Sequence, residues 1–205
     1  MKQIVKKILA QTTVTLLTGL YIGGGNDSVQ IGGLDRSVIR AILKDNQPYI
    51  PGSSLRGKMR CLLEQVRGCK LGESEEVNNL FGFSNVGKSS KIIFRDSYLI
   101  PESVAEFKKV GIPYTESKTE NSIKRIEGTA ENPRTTERVP AGAEFAVEMI
   151  LNIWDGDNEA ELKAMLEEGI RLIENDYLGG SGSRGYGQVK FEDVNYTVVY
   201  PNSKE

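Results

Sequence analysis

Histidine is absent from all 205 residues. With it go the usual acid–base group near neutral pH, imidazole-held metal sites and histidine pH switches. Chemistry in this chain falls to carboxylates, lysine, tyrosine, serine or a metal held by oxygen. Cysteine is scarce. Cys61 and Cys69 make neither a disulfide framework nor a zinc-ligand set, and they read as two reduced structural thiols. No apolar run approaches the roughly 20 residues needed to span a bilayer. The start, MKQIVKKILAQTTVTLLTG, alternates with threonines, which suits a strand better than the apolar block of a signal peptide. The expected setting is the cytoplasm, without a membrane partner. A length of 205 residues allows one domain with a sizeable core and inserted lobes.

Net charge is -2, from 26 Lys/Arg against 28 Asp/Glu. The distribution is uneven. Residues 1–70 hold 11 basic and 4 acidic residues, a net of +7, which leaves -9 for the rest. Such a basic third can be the footprint of a polyanion, or an uneven scatter of solvated charges.

The stretch GFSNVGKSS, residues 82–90, matches the nucleotide-binding P-loop pattern letter for letter. The pattern needs a buried strand before it and a helix starting at the Lys-Ser. Here the polar ESEEVNNLFG precedes it and the strand-like KIIFRDSYLI follows, so nucleotide hydrolysis is not expected. Gly180, Gly182 and Gly185 spell the dinucleotide fingerprint in the same reversed context, helix before and strand after.

Residues 3–18 read as a long strand in which Ile8, Ala10, Thr12, Val14 and Leu16 share one face. PYIPGSSLRGKMRCLLEQVRG reads as a helix capped by Ser53 or Ser54 and ended by Gly68. Leu55, Met59, Leu62, Leu63 and Val66 lie on its buried face, with Arg56, Arg60 and Arg67 on an adjacent stripe. Free N–H groups and that stripe suit a phosphate; the alternative is a solvated edge. Residues 91–100 and the segment AEFAVEMILNIWD read as strands. A helix capped by Asn158 follows, burying Leu162, Met165, Leu166, Leu172 and Ile173. Residues 105–140 are long and polar, with Ile123 and Ile126 the only strong apolar residues in the middle. They read as an arm or hairpin that gains order from a partner. The order β–α–β–arm–β–α–β predicts an α+β, ferredoxin-like, modified RNA-recognition-motif palm (βαββαβ). The aromatic stacking signature of such motifs is missing, so contact through glycine turns and Arg184 would read backbone rather than bases.

GLYIGGG, IGGLD, YIPGSSLRGKMR, LFG, KTENSIKRI, NPRTTERVPAGAEF and LGGSGSRGYGQV occur in one order along nearly the whole chain. Together they resemble the RAMP-superfamily backbone subunits of type III-A, or Csm, CRISPR effector complexes. The resemblance implies one domain over 1–205, with a finger or lid insertion about 70–91 and a thumb about 105–140. It implies guide-RNA binding through Gly23, Gly24, Ser53, Ser54, Arg56, Lys58, Arg60, Gly182, Ser183, Arg184 and Gly185. On the thumb it implies contact of Lys118, Asn121, Ile123, Arg125, Pro133 and Arg134 with the guide–target duplex. It implies that Asp35 of IGGLD cuts bound target RNA at regular intervals. There Asp35 would hold Mg²⁺ or another divalent cation while the neighbouring 2′-OH attacks, leaving a cyclic phosphate and a 5′-OH. Implied partners are guide and target RNA, further copies in a helical stack, and the large signalling, small and end-capping RAMP subunits of the complex. The alternative is a non-catalytic RNA-binding scaffold of a type III-B or other effector. Many relatives carry histidine where this chain has Tyr21.

Overall fold

The structure, a computed structural model, describes residues 3–24 and 37–201. Its strands are β1 (Ile4–Leu16), β2 (Arg40–Ala41), β3 (Gln47–Ile50), β4 (Ile92–Phe94), β5 (Ser97–Leu99), β6 (Glu116–Ile123), β7 (Ala130–Arg138), β8 (Glu144–Trp154), β9 (Val189–Phe191) and β10 (Asn195–Tyr200). Its helices are α1 (Gly52–Val66), α2 (Glu75–Phe81), α3 (Pro101–Val110) and α4 (Glu159–Glu174).

The main sheet is antiparallel, in the order β10-β1-β8-β5-β3-β2, with β9 also on β1 and β4 also on β8. Grouped as the segments β1, β4/β5, β8 and β9/β10, the four palm strands run fourth-first-third-second. That is the ferredoxin-like arrangement the sequence predicts. Alternation in β1 is complete on its inner face: Ile8, Ala10, Thr12, Val14 and Leu16 are all buried. Their covering layer is α1 and α4, which pack closely because Gly169 leaves room for the Met59 side chain. Asn158 caps α4 by accepting from the amides of Ala160 and Glu161, and its own amide donates to Glu161. The apolar stripe of α4 is buried at Leu162, Leu166, Ile170 and Ile173, with Met165 and Leu172 only partly covered.

Several expectations need correction. The 91–100 strand is two short ones, both paired to β8. The chain steps out of the ladder at Arg95–Asp96 because the Asp96 carboxylate turns to accept from the Gly52 N–H, 2.9 Å away. Neither Ser53 nor Ser54 caps α1; Pro51 stands at the N-cap and makes no side-chain hydrogen bond. Val66 lies outside the core, 61% exposed. The polar arm contains a helix, α3, before its hairpin β6–β7.

GFSNVGKSS is a turn rather than a phosphate cradle. Phe83 and Lys88 bridge across it, only a single 3₁₀ turn lies between them, and a strand follows. The Lys88 ammonium is paired with Glu75 at 3.0 Å.

Candidate nucleic-acid interface

Asp35 lies outside the described residues, which resume at Ser37; the flanking segments, here called the neck, are described. Gly23 bridges Val38, and the Ile39 N–H donates to the Ile22 carbonyl at 2.9 Å. Gly24 needs its lack of a side chain here, because a Cβ would stand 3.0 Å from the Ile39 Cα. The neck is tied to two other elements. The Gly180 N–H donates to the Tyr21 carbonyl at 2.8 Å, which joins the neck to the glycine loop 179–187. The Val38 N–H donates to Glu137 at 2.9 Å, which joins it to the root of the β6–β7 hairpin.

The glycine loop is built by close approach. A Cβ on Gly187 would meet the Leu178 carbonyl oxygen at 1.9 Å, and Gly187 has φ 72°. A Cβ on Gly182 would enter the Tyr177 ring. That ring also carries the Lys58 ammonium, 3.6 Å above its centre, while Lys58 pairs with Asp176 at 2.6 Å. The loop therefore faces the Ser54–Lys58 edge of α1. Tyr21, at the position of the relatives' histidine, fills the space left by Gly23 and Gly180; their Cβ atoms would stand 2.8 and 3.0 Å from it.

The arginine stripe of α1 points the other way. Arg60 is buried, and its guanidinium donates to Glu64, the Gly82 carbonyl and Asn78 at 3.1, 2.8 and 2.8 Å. Glu64 accepts in turn from the Gly72 N–H. Arg56 donates to the Phe81 carbonyl, and Arg67 pairs with Glu168 and Glu76. These arginines fasten the 70–82 insertion to α1. Arg60 is thus a structural cation, contrary to its assignment as a phosphate contact. The first turn of α1 likewise meets a carboxylate, Asp96, at the Gly52 N–H.

The hairpin root carries a second layer of paired charge. Glu137, 6% exposed, accepts from Val38, Thr115 and Arg40. Burial alone would raise its pKa; these three donors outweigh burial and hold it below the ordinary carboxylate value. Three residues along β6 from the partner of Glu137, Glu120 pairs with both Lys118 and Arg184 at 3.2 Å, so the glycine loop and the hairpin meet directly. Lys118 and Arg138 sit 4.5 and 4.9 Å from the centre of the buried Tyr186 ring. Glu137, Arg138 and Tyr186 were not singled out from the sequence, where each reads as an ordinary strand or loop residue.

Further out on the hairpin, Asn121, Ile123, Arg125, Pro133 and Arg134 are exposed, as are Ser183, Arg184 and Gly185 on the loop. Among the described residues no three carboxylates or thiols converge on a cation site. No helix among them is long and apolar enough to cross a membrane. One edge of the palm thus gathers the Asp35 neck, the glycine loop, the Lys58 edge of α1 and the thumb root. That edge carries the cations Lys58, Lys118 and Arg184, each paired with a carboxylate, and the exposed Ser183.

The profile of the RAMP superfamily matches residues 13–190. The CRISPR system Cms endoribonuclease Csm3 of Streptococcus thermophilus is 42% identical over 207 residues, covering 96% of this chain and 92% of its own. The protein of the same name from Methanocaldococcus jannaschii is 39% identical over 204 residues, covering 92% and 79%. Among solved structures, the Csm3–Csm4 subcomplex of the type III-A CRISPR-Cas interference complex aligns with a TM-score of 0.63 and 30% identity. That alignment spans 96% of this chain and 81% of the other.

Proposed function

The chain belongs to the RAMP superfamily, and from that premise we propose that it is the repeating backbone subunit of a type III-A CRISPR ribonucleoprotein. It binds guide RNA along its sugar–phosphate backbone and cleaves the target RNA paired to that guide. Support comes from relatives named as endoribonucleases, matched over 92% and 79% of their own length. The observation that carries the reading is the convergence just described. Ser37, two residues beyond Asp35, leads into a neck hydrogen-bonded to both the glycine loop and the thumb root.

Asp35 is the cleaving residue in this reading. One carboxylate with waters and phosphate oxygens is enough to place Mg²⁺, and the cation would supply charge neutralisation at the scissile phosphate. The described residues add no carboxylate cluster to it. Their part is to hold the strand: Lys58 and Arg184 engage phosphates, while the hairpin kinks the backbone so that a 2′-OH lines up with its own phosphate. The cut then leaves a cyclic phosphate and a 5′-OH, once per subunit.

The test is Asp35→Ala in the assembled complex. Assembly and target binding should persist while the regularly spaced cuts disappear, as they should for the wild type under a chelator. Undiminished cutting by Asp35→Ala would remove the catalytic assignment of Asp35.

A further inference from the structure

We propose that Lys118, Arg184 and the Tyr186 hydroxyl form a phosphodiester site at the thumb root, which the chain's own Glu120 carboxylate fills until RNA displaces it. The inference rests on the RNA-binding reading above and adds an internal competitor to it.

The geometry is that of an anion site with a substitute anion. One Glu120 oxygen takes the Lys118 ammonium and the other takes the Arg184 guanidinium, each at 3.2 Å. Each oxygen thus holds one cation and keeps a further acceptor position. The Tyr186 hydroxyl, on a side chain only 1% exposed, is left without a hydrogen bond. It faces Glu120 closely enough to help hold the carboxylate ionised, but off the line of a well-aligned hydrogen bond. Buried hydroxyls in folded proteins almost always find an acceptor, so an unpartnered one beside two cations marks the place of an absent acceptor. A phosphodiester carries the same single charge as a carboxylate on a larger, tetrahedral set of oxygens, and so offers a third acceptor position.

Displacement is feasible on three grounds. The Arg184 side chain is 52% exposed, so the pair is open to solvent and weakly held. A register shift follows Glu120 in β6, and such bulges let a strand re-aim a side chain. RNA, finally, brings many phosphates at once and gains from released counterions. Burial alone would raise the Glu120 pKa, but Tyr186, Arg184 and Lys118 outweigh it and hold the group ionised at neutral pH.

The experiment titrates a fluorescent single-stranded RNA of mixed sequence with the full chain over a series of salt concentrations. Glu120→Gln should tighten binding about five-fold at low salt, because two freed cations no longer face a competing charge. It should also steepen the salt dependence, since those cations now release counterions of their own. Arg184→Gln should weaken binding, and adding Glu120→Gln to it should recover little. Tyr186→Phe should weaken binding with little change in melting temperature, because the hydroxyl makes no well-aligned hydrogen bond in the free chain. Unchanged or weaker binding by Glu120→Gln overturns the proposal while leaving RNA binding in place. Failure of the wild type itself to bind would end both readings together.

Discussion

Arg60 shares a helical stripe with Arg56 and Arg67, yet it is 8% exposed and bound on every side by protein. Removing one partner of a buried pair strands the other charge. Arg60→Gln should therefore lower stability by about 3–5 kcal/mol, read as a fall in urea midpoint. Arg56→Gln, which gives up one bond to the Phe81 carbonyl, should lower it by about 1 kcal/mol. Equal losses for the two would show that the Arg60 network is not the tie it appears in the fold. Glu137 extends the same logic to pH. Its folded pKa is depressed, so its contribution is present above the unfolded value of about 4.3. That contribution is lost as pH falls through the folded value. The Val38 amide, bound to Glu137 at 2.9 Å, should lose hydrogen-exchange protection below roughly pH 4. In Glu137→Gln the protection at neutral pH should already be lower, and its acid dependence flatter.

The β6–β7 hairpin is the element least covered by the rest of its own domain. Its root is buried at Thr115, Thr136 and Glu137, whereas residues 121–134 are exposed throughout, Ile123 at 70% and Ile126 at 100%. Ile123→Ser and Ile126→Ser should thus change stability by no more than about 0.5 kcal/mol. In the assembled complex the same variants should weaken target binding and blur the spacing of cuts. A large loss of melting temperature would instead place these isoleucines in the core. The sequence made the palm legible where burial is periodic. Strand β1 alternates, α4 carries its cap and stripe, and the scarcity of apolar residues over 105–140 already marked an arm or hairpin. What escaped was short or long-range. Helix α3 buries only Ser103 and Phe107, too few residues for a stripe, although Pro101 and Gly111 bracket it. Strands β2 and β3, two and four residues long, give no alternation to detect. The split between β4 and β5 depends on Asp96 capping a helix 44 residues earlier. At the site, the glycine loop and Arg184 could be found from spelling. Their carboxylate partners could not, because Arg184–Glu120 spans 64 residues and Val38–Glu137 spans 99.

At the scale of the whole molecule, the basic balance of residues 1–70 and the acidic balance of the remainder belong to one small body. A subunit that presents one face to the next copy's different face makes a heterologous contact, and such contacts propagate unless the rotation closes. Like-charged neighbours do not favour this by themselves, but a polyanion threaded along the cationic edge of each copy would hold successive copies in register. RNA length should then set copy number. Mixed with RNAs of increasing length at low salt, the purified chain should give particles whose mass, measured by light scattering, rises in steps of one subunit. Each step should require a fixed increment of nucleotides. The steps should collapse as salt is raised, because each bound phosphate contributes to the salt slope. Lys58→Gln or Arg184→Gln should lower occupancy at every step without changing the increment, since the spacing is a property of the palm and hairpin rather than of any one cation. One subunit per RNA whatever its length would contradict the stacked backbone. An increment that shifted with base composition would contradict a grip on the sugar–phosphate chain, because phosphate contacts position a protein on nucleic acid without reading its sequence.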